Sequence, residues 1–382
     1  MVNQPDIAKR PRLPWGLAGM LAVVLGVEGL LAHCVDDCFK NPSAACWQEA
    51  GRVATSDALR SHVLAFGDSI VKFGFVPRVI EAEAGLSAYN LATDGGPPAL
   101  SYFLLRRALK AGARPRAVVV NISLDILAAP PHVHDQLWHE MLTPNEAFEL
   151  CWRARDPALL SSLFIARVLI SYRTRFEIRE VLRCAIRRES YARCLASLIT
   201  GRRAQWRIHR GGELLPEAPN HSVEPDYGNP QMFPGKWSAD PANSFFARKF
   251  FELAAAHRIP VYLLLPPRSP LTQVALEGTG SDAYYTLLIR KRVHKCDKVV
   301  VVDARYSGFN DAAFFDMTHL VGPGAITLSA ELAGILKRDL ATGHPNSRWV
   351  QLPQYRDRHR EFPLEDLEHR EVAMGPRAAA RQ

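Results

Sequence analysis

The chain of 382 residues contains no internal repeat. Solenoid and propeller architectures are therefore excluded. Its 7 cysteines are few and match no zinc-ligand spacing, so neither a structural metal nor any other cofactor is expected. Long hydrophobic runs are almost absent: one 18-residue stretch, Trp15 to Ala32, stands alone, interrupted only by Glu28. Lysine is missing from Cys151 to Arg210, where 14 Arg meet 4 acidic residues for a local charge of +10. The formal net charge of the whole chain is +8, so the rest lies near neutrality. Hydrophobic residues at 48% and charged residues at 23% exclude a largely disordered protein.

The apolar stretch is just long enough to span a bilayer as a helix. Lys9, Arg10 and Arg12 precede it, which predicts a cytoplasmic N-terminus over 1–14, a single-pass anchor over 15–32 and an extracytoplasmic remainder. A cleaved signal peptide competes with this reading, but no small-x-small site follows at the usual distance. Residues 33–60 read as a polar stalk, with a short disulfide loop among Cys34, Cys38 and Cys46.

Regular structure is expected to begin at His62–Phe66, a continuous apolar run. Strands follow at 86–91, 117–122, 261–265 and 298–303, alternating with helices at 70–84, 99–111, 244–257, 282–295 and 323–340. This alternation predicts an α/β fold: a flavodoxin-like three-layer sandwich around a parallel sheet. The main domain is drawn over 61–340. An Arg-rich helical insertion over 128–235 interrupts it, and 341–382, polar and rich in Arg, Glu and Pro, are expected to be a disordered tail.

The candidate chemistry sits where strands end. Phe66-Gly67-Asp68-Ser69 places a serine at a strand–turn–helix junction, with helix N–H groups available to hold an anion. As the bland alternative, Ser69 is only a helix cap. Asp316-Met317-Thr318-His319 puts a carboxylate three residues before a histidine, a spacing at which the acid can orient the base for a serine nucleophile.

These residues resemble the SGNH hydrolases, the GDSL esterase/lipase superfamily. The resemblance covers roughly 60–125 and 240–340. It implies Ser69 as nucleophile, Asp316 and His319 as its helpers, and the N–H groups of Ser69 and Gly95 as the oxyanion hole. The family's third block, Gly-x-Asn-Asp, meets Ile122-Ser123-Leu124-Asp125 here, with Leu124 in the place of the Asn. Asn121, Ser123 and Asp125 are the remaining third-block or substrate candidates. The implied activity is O-acyl ester hydrolysis or acyl transfer on an extracytoplasmic carbohydrate or envelope polymer. Two rivals stand beside it: a catalytically weak or inactive SGNH-fold scaffold that binds glycan at the membrane, and an esterase acting on membrane lipids.

Other clusters carry less. His132, His134, His139 and Asp135 lie on one polar loop, and no metal is assigned to them. Asp94 either touches substrate or shapes the turn before Gly95. The Arg stripe at 175, 179, 183 and 187 is either a solvated face or a dock for an anionic membrane or acidic glycan. An extracytoplasmic domain excludes nucleic acid, and no protein partner is indicated.

Overall fold

In the computed structural model, which describes residues 15–34, 41–186, 191–217, 237–294, 296–343 and 346–355, the five expected strands all form. They are β1 (Val63–Phe66), β2 (Ala88–Asn90), β3 (Ala117–Val120), β4 (Val261–Leu265) and β5 (Val299–Asp303). A sixth, β6 (Arg348–Gln351), lies beyond the expected end of the domain. The sheet has the order β2-β1-β3-β4-β5-β6, and every pairing is parallel. Residues 348–351 are therefore part of the sheet. The disordered tail expected over 341–382 is corrected to that extent, and 356–382 lie outside the described residues.

The chain divides into two units: residues 1–40 with 165–196, and residues 41–164 with 197–382. The first unit holds α1 (Trp15–Cys34), the end of α9 (Pro157–Val168), α10 (Ile170–Arg173), α11 (Arg175–Ile186) and the start of α12 (Tyr191–Ile208). In α1, Trp15 is 79% exposed and Leu21, Val24 and Leu30 also face outward, while Glu28 alone is buried among its described side chains. The Glu28 carboxylate accepts the Ser171 backbone N–H at 3.0 Å and the Ser171 hydroxyl. Among the described residues no helix is long and apolar enough to cross a membrane. The expected anchor is met here as a helix, and its membrane crossing is not shown.

The larger unit contains the sheet, with helices in chain order α2 (Pro42–Val53), α3 (Ser69–Gly74), α4 (Pro77–Ala84), α5 (Pro98–Lys110), α6 (Leu124–Ala128), α7 (Asp135–Met141) and α8 (Pro144–Ala154). After the insertion come α13 (Pro241–Ala256), α14 (Pro270–Gly278), α15 (Ser281–Val293) and α16 (Gly322–Ala341). Side-chain alternation divides each strand between two cores. Leu64, Phe66, Val118, Val120, Leu263 and Val301 join α5 and α13 on one face. Val63, Ala65, Val119, Tyr262, Leu264 and Val302 join α4 and α16 on the other. Continuous apolar strands are what a sheet covered on both sides requires.

Three expectations are corrected. Residues 42–53 are not stalk: α2 buries Ala44, Ala45, Cys46, Trp47 and Ala50, and its Asn41 cap accepts the Ser43 N–H at 2.8 Å. Cys46 is a buried free thiol inside that helix, so it closes no disulfide loop. The single helix expected over 70–84 breaks at Phe75-Val76, because the residue before Pro77 is pushed into extended backbone.

Candidate active site

The chain leaves β1 through Gly67, whose φ of +134 lies in the region that favours glycine. A Cβ there would also meet Asn121 Oδ1 at 2.7 Å. Asp68 follows as the helix cap, accepting the Ile70 N–H at 2.9 Å, and Ser69 opens α3. The cap is therefore Asp68, not Ser69, and the serine hydroxyl is left for other work.

That hydroxyl lies 2.7 Å from His319 Nε2. His319 Nδ1 lies 2.6 Å from Asp316 Oδ2. A carboxylate only accepts, so the Nδ1 proton belongs to that contact and Nε2 is free to accept from Ser69. The other Asp316 oxygen accepts the N–H groups of Thr318 at 2.8 Å and of His319 at 2.9 Å. Burial pushes the Asp316 carboxyl up, but the bond from His319 and these two N–H groups outweigh it and hold it at about 2. Phe73 packs edge-on against the imidazole, 5.2 Å between centroids. The structure thus brings Ser69 together with the Asp316–His319 pair, with 250 residues between Ser69 and His319 in the chain.

Neither the Ser69 N–H nor the Gly95 N–H donates to any group among the described residues. Gly95 has φ +61, and a Cβ on it would meet His134 Cε1 at 3.1 Å. A Cβ on the next residue, Gly96, would lie 2.4 Å from the Gly67 carbonyl oxygen, so the two loops touch backbone to backbone.

Asp94 shapes this loop. Arg202 in α12 grips its carboxylate at 2.9 and 3.2 Å, Ser43 donates to it at 3.1 Å, and Trp47 Nε1 donates to its carbonyl at 2.8 Å. Burial raises the Asp94 carboxyl, and the Arg202 charge more than offsets this and lowers it. Arg202 also holds Glu213 at 3.0 Å. These partners were not found in the sequence. Arg202 sits in the Arg-rich stretch with no spacing to mark it as interior, and Ser43 and Trp47 fall in the supposed stalk.

The third-block candidates turn inward. Asn121 Nδ2 donates to Ser123 Oγ at 3.0 Å, and the Ser123 hydroxyl donates to the Asp68 carboxylate. Ser123 is thereby used up as a donor. Asp125 pairs with Arg268 Nη2 at 3.1 Å. Arg268, just beyond β4, is 8% exposed, and its Nη1 has no partner among the described residues. Leu124 does not face the site: it is buried in the core, and its carbonyl accepts Trp237 Nε1 at 3.0 Å. β3 ends at Val120, so strand alternation no longer governs Asn121 or Leu124.

His132, His134 and His139 do not converge on a metal; among the described residues no group of three or more His, Cys, Asp or Glu is placed to hold one. Burial holds His134 at about 4, which keeps it neutral beside Gly95. Of the Arg stripe, Arg179 and Arg183 are exposed and Arg187 lies outside the described residues.

Compared with protein-family models the chain matches none, and a search of characterised proteins gives no match either.

Proposed function

We propose that this chain is a serine-dependent O-acyl esterase or acyltransferase of the SGNH type, acting on an extracytoplasmic carbohydrate or envelope polymer. The observation that carries the reading is the unbroken relay Ser69 Oγ, His319, Asp316 at 2.7 and 2.6 Å. Structural histidines rarely need a serine on one nitrogen and a dedicated carboxylate on the other, whereas a nucleophile and its base require that arrangement.

In this reading Ser69 Oγ bonds to the acyl carbon as its proton passes to His319 Nε2. The ester C–O bond breaks, and His319 returns the proton to the departing sugar oxygen. The carbonyl oxygen becomes an oxyanion beside the free N–H groups of Ser69 and Gly95, where fixed donors lower the barrier. Water or a second hydroxyl then resolves the acyl-enzyme, with His319 again as base. Asp316, held at about 2, stays charged throughout and supports the imidazolium.

The membrane anchor belongs to the same proposal. The reading rests on the apolar run from Trp15 to Ala32, interrupted only by Glu28. Lys9, Arg10 and Arg12 before it favour a cytoplasmic start.

The test is labelling of the full-length protein by a fluorophosphonate, together with hydrolysis of p-nitrophenyl acetate. Both should disappear in Ser69→Ala, and turnover should fall about as far in His319→Ala as in the double variant, because the pair acts as a unit. Labelling that persists in Ser69→Ala would remove the assignment.

A further inference from the structure

Polar side-chain atoms removed from water are nearly always hydrogen-bonded. His134 breaks that pattern. Its Nε2 is buried without a partner, and neither ring nitrogen makes a hydrogen bond among the described residues. Burial holds the ring at about 4 against the charge of Asp135, so near neutral pH it carries one N–H and one bare nitrogen.

The ring is set against the candidate site. A Cβ on Gly95 would meet His134 Cε1 at 3.1 Å, Nδ1 at 3.7 Å and Nε2 at 4.0 Å. Cε1 lies between the two nitrogens, so either tautomer puts an N–H on the edge that faces Gly95. Gly95 also has the free N–H proposed for the oxyanion hole. An oxygen accepting from that N–H binds at the same residue that the imidazole edge touches.

Trp47 holds both parts in place. Its Nε1 donates to the Asp94 carbonyl at 2.8 Å, just before Gly95, and its ring lies 5.9 Å from the His134 ring. Trp138 packs edge-on against Trp47 at 4.9 Å. Its own Nε1 donates at 2.9 Å to the Pro131 carbonyl, at the start of the short turn Pro131–His134. Both tryptophans are fully buried. A donor fixed in this way needs no rearrangement as charge develops, which is the requirement for an oxyanion hole. The side chains after β3 leave that role open. Leu124, at the place of the family's third-block Asn, is in the core, and the Ser123 hydroxyl donates to Asp68.

Resting on the proposed triad, we infer that a ring N–H of His134 is the third donor to the oxyanion, beside the N–H groups of Ser69 and Gly95. The bond strengthens as the carbonyl oxygen becomes negative, and the proton stays on the imidazole.

The test compares p-nitrophenyl acetate hydrolysis by the full-length parent, His134→Phe, which keeps a flat ring against Trp47 but has no N–H, and His134→Gln, which returns one. In His134→Phe kcat should fall by about a hundredfold while KM changes less than about twofold, and His134→Gln should recover about tenfold of the loss. A His134→Phe protein as fast as the parent overturns the inference. So does a folded His134→Gln as slow as His134→Phe, because packing alone would then be the role. A second measurement uses only the parent and so does not depend on the variants folding. Its histidine ring nitrogens are isotope-labelled and followed by NMR while a fluorophosphonate reacts with Ser69, which places a phosphonyl oxygen in the hole. The His134 ring N–H should move downfield and exchange more slowly with water. An unchanged His134 signal on protein labelled at Ser69 overturns the inference and leaves the triad intact. No labelling of Ser69 in the parent removes the triad reading, and the inference with it.

Discussion

Asp68 provides a test of the site's construction that needs no substrate. It is 2% exposed, and burial, reinforced by the charge of Asp125, lifts its carboxyl to about 6 despite the bonds from Ser123 and the Ile70 N–H. In the unfolded chain the same group titrates near 3.9. The sign follows from linkage. Below about pH 4 the group is protonated in both states and imposes no penalty. Between about 4 and 6 the folded protein keeps a proton that the unfolded chain has lost, so stability falls as pH rises. Above 6 the penalty is constant, at most about 3 kcal/mol for a gap of about two units. Asp68→Asn retains an acceptor for Ile70 and offers an amide to Ser123 Oγ, without a charge. Its stability minus that of the parent, taken from denaturant titrations in detergent, should therefore shrink by about 2 kcal/mol between pH 8 and pH 4.5. Groups that titrate in this range without interacting with Asp68 cancel in the difference. A difference that stays level would refute the reasoning, because Asp68 would then enter the fold with an ordinary acidity.

Arg202→Ala should destabilise the protein by roughly 3–5 kcal/mol, since Asp94 and Glu213 lose the cation that neutralises them in a mostly buried setting, and it should lower kcat more than it raises KM; denaturant midpoints and ester kinetics measure both. Gly96→Ala forces a methyl to within 2.4 Å of the Gly67 carbonyl, so fluorophosphonate labelling of Ser69 should be lost even in protein that still folds. Leu124→Asn should cost about 3 kcal/mol, because it trades core packing for a buried amide, and it should bring no gain in p-nitrophenyl acetate hydrolysis. An increase in that rate would restore Leu124 to the oxyanion position that the structure denies it.

What was legible in the sequence was local. Four of the five strands were near-continuous apolar runs, and burial on both faces is the reason such runs exist; β2, Ala-Tyr-Asn, is the exception. The Asp316-x-x-His319 pair was readable because both side chains share one short loop. Gly67 was readable because a turn between strand and helix needs its backbone freedom. The failures have equally definite causes. α2 escaped notice because its buried positions are mainly Ala and Cys, which make a weak apolar pattern, and because a polar stretch after an anchor invites a stalk. β6 lay beyond a 20-residue helix and reads Arg-Trp-Val-Gln, with exposed ends that fit an edge strand better than an interior one. The packing around the third block could not be read from strand periodicity, because β3 stops at Val120 and Leu124 opens α6.

The Arg-rich insertion shows why charge counted along a chain is a poor guide to where that charge acts. A local +10 suggested an outer face for an anionic surface. Arg202 belongs to that count, yet it points inward between Asp94 and Glu213 and spends its charge on two carboxylates of the sheet domain. Its neighbour Trp206 donates to Glu213 at 2.8 Å and lies under the Lys72 ammonium, 4.7 Å from the ring centroid. Lys72 is on the same short helix as Ser69. One end of the insertion therefore braces both the nucleophile helix and the Gly95 loop. In many parallel sheets the loops at the carboxyl ends hold themselves, and an insertion is an ornament. Here the donors proposed for the oxyanion are kept in place by residues far along the chain, so the insertion is a structural part of the site.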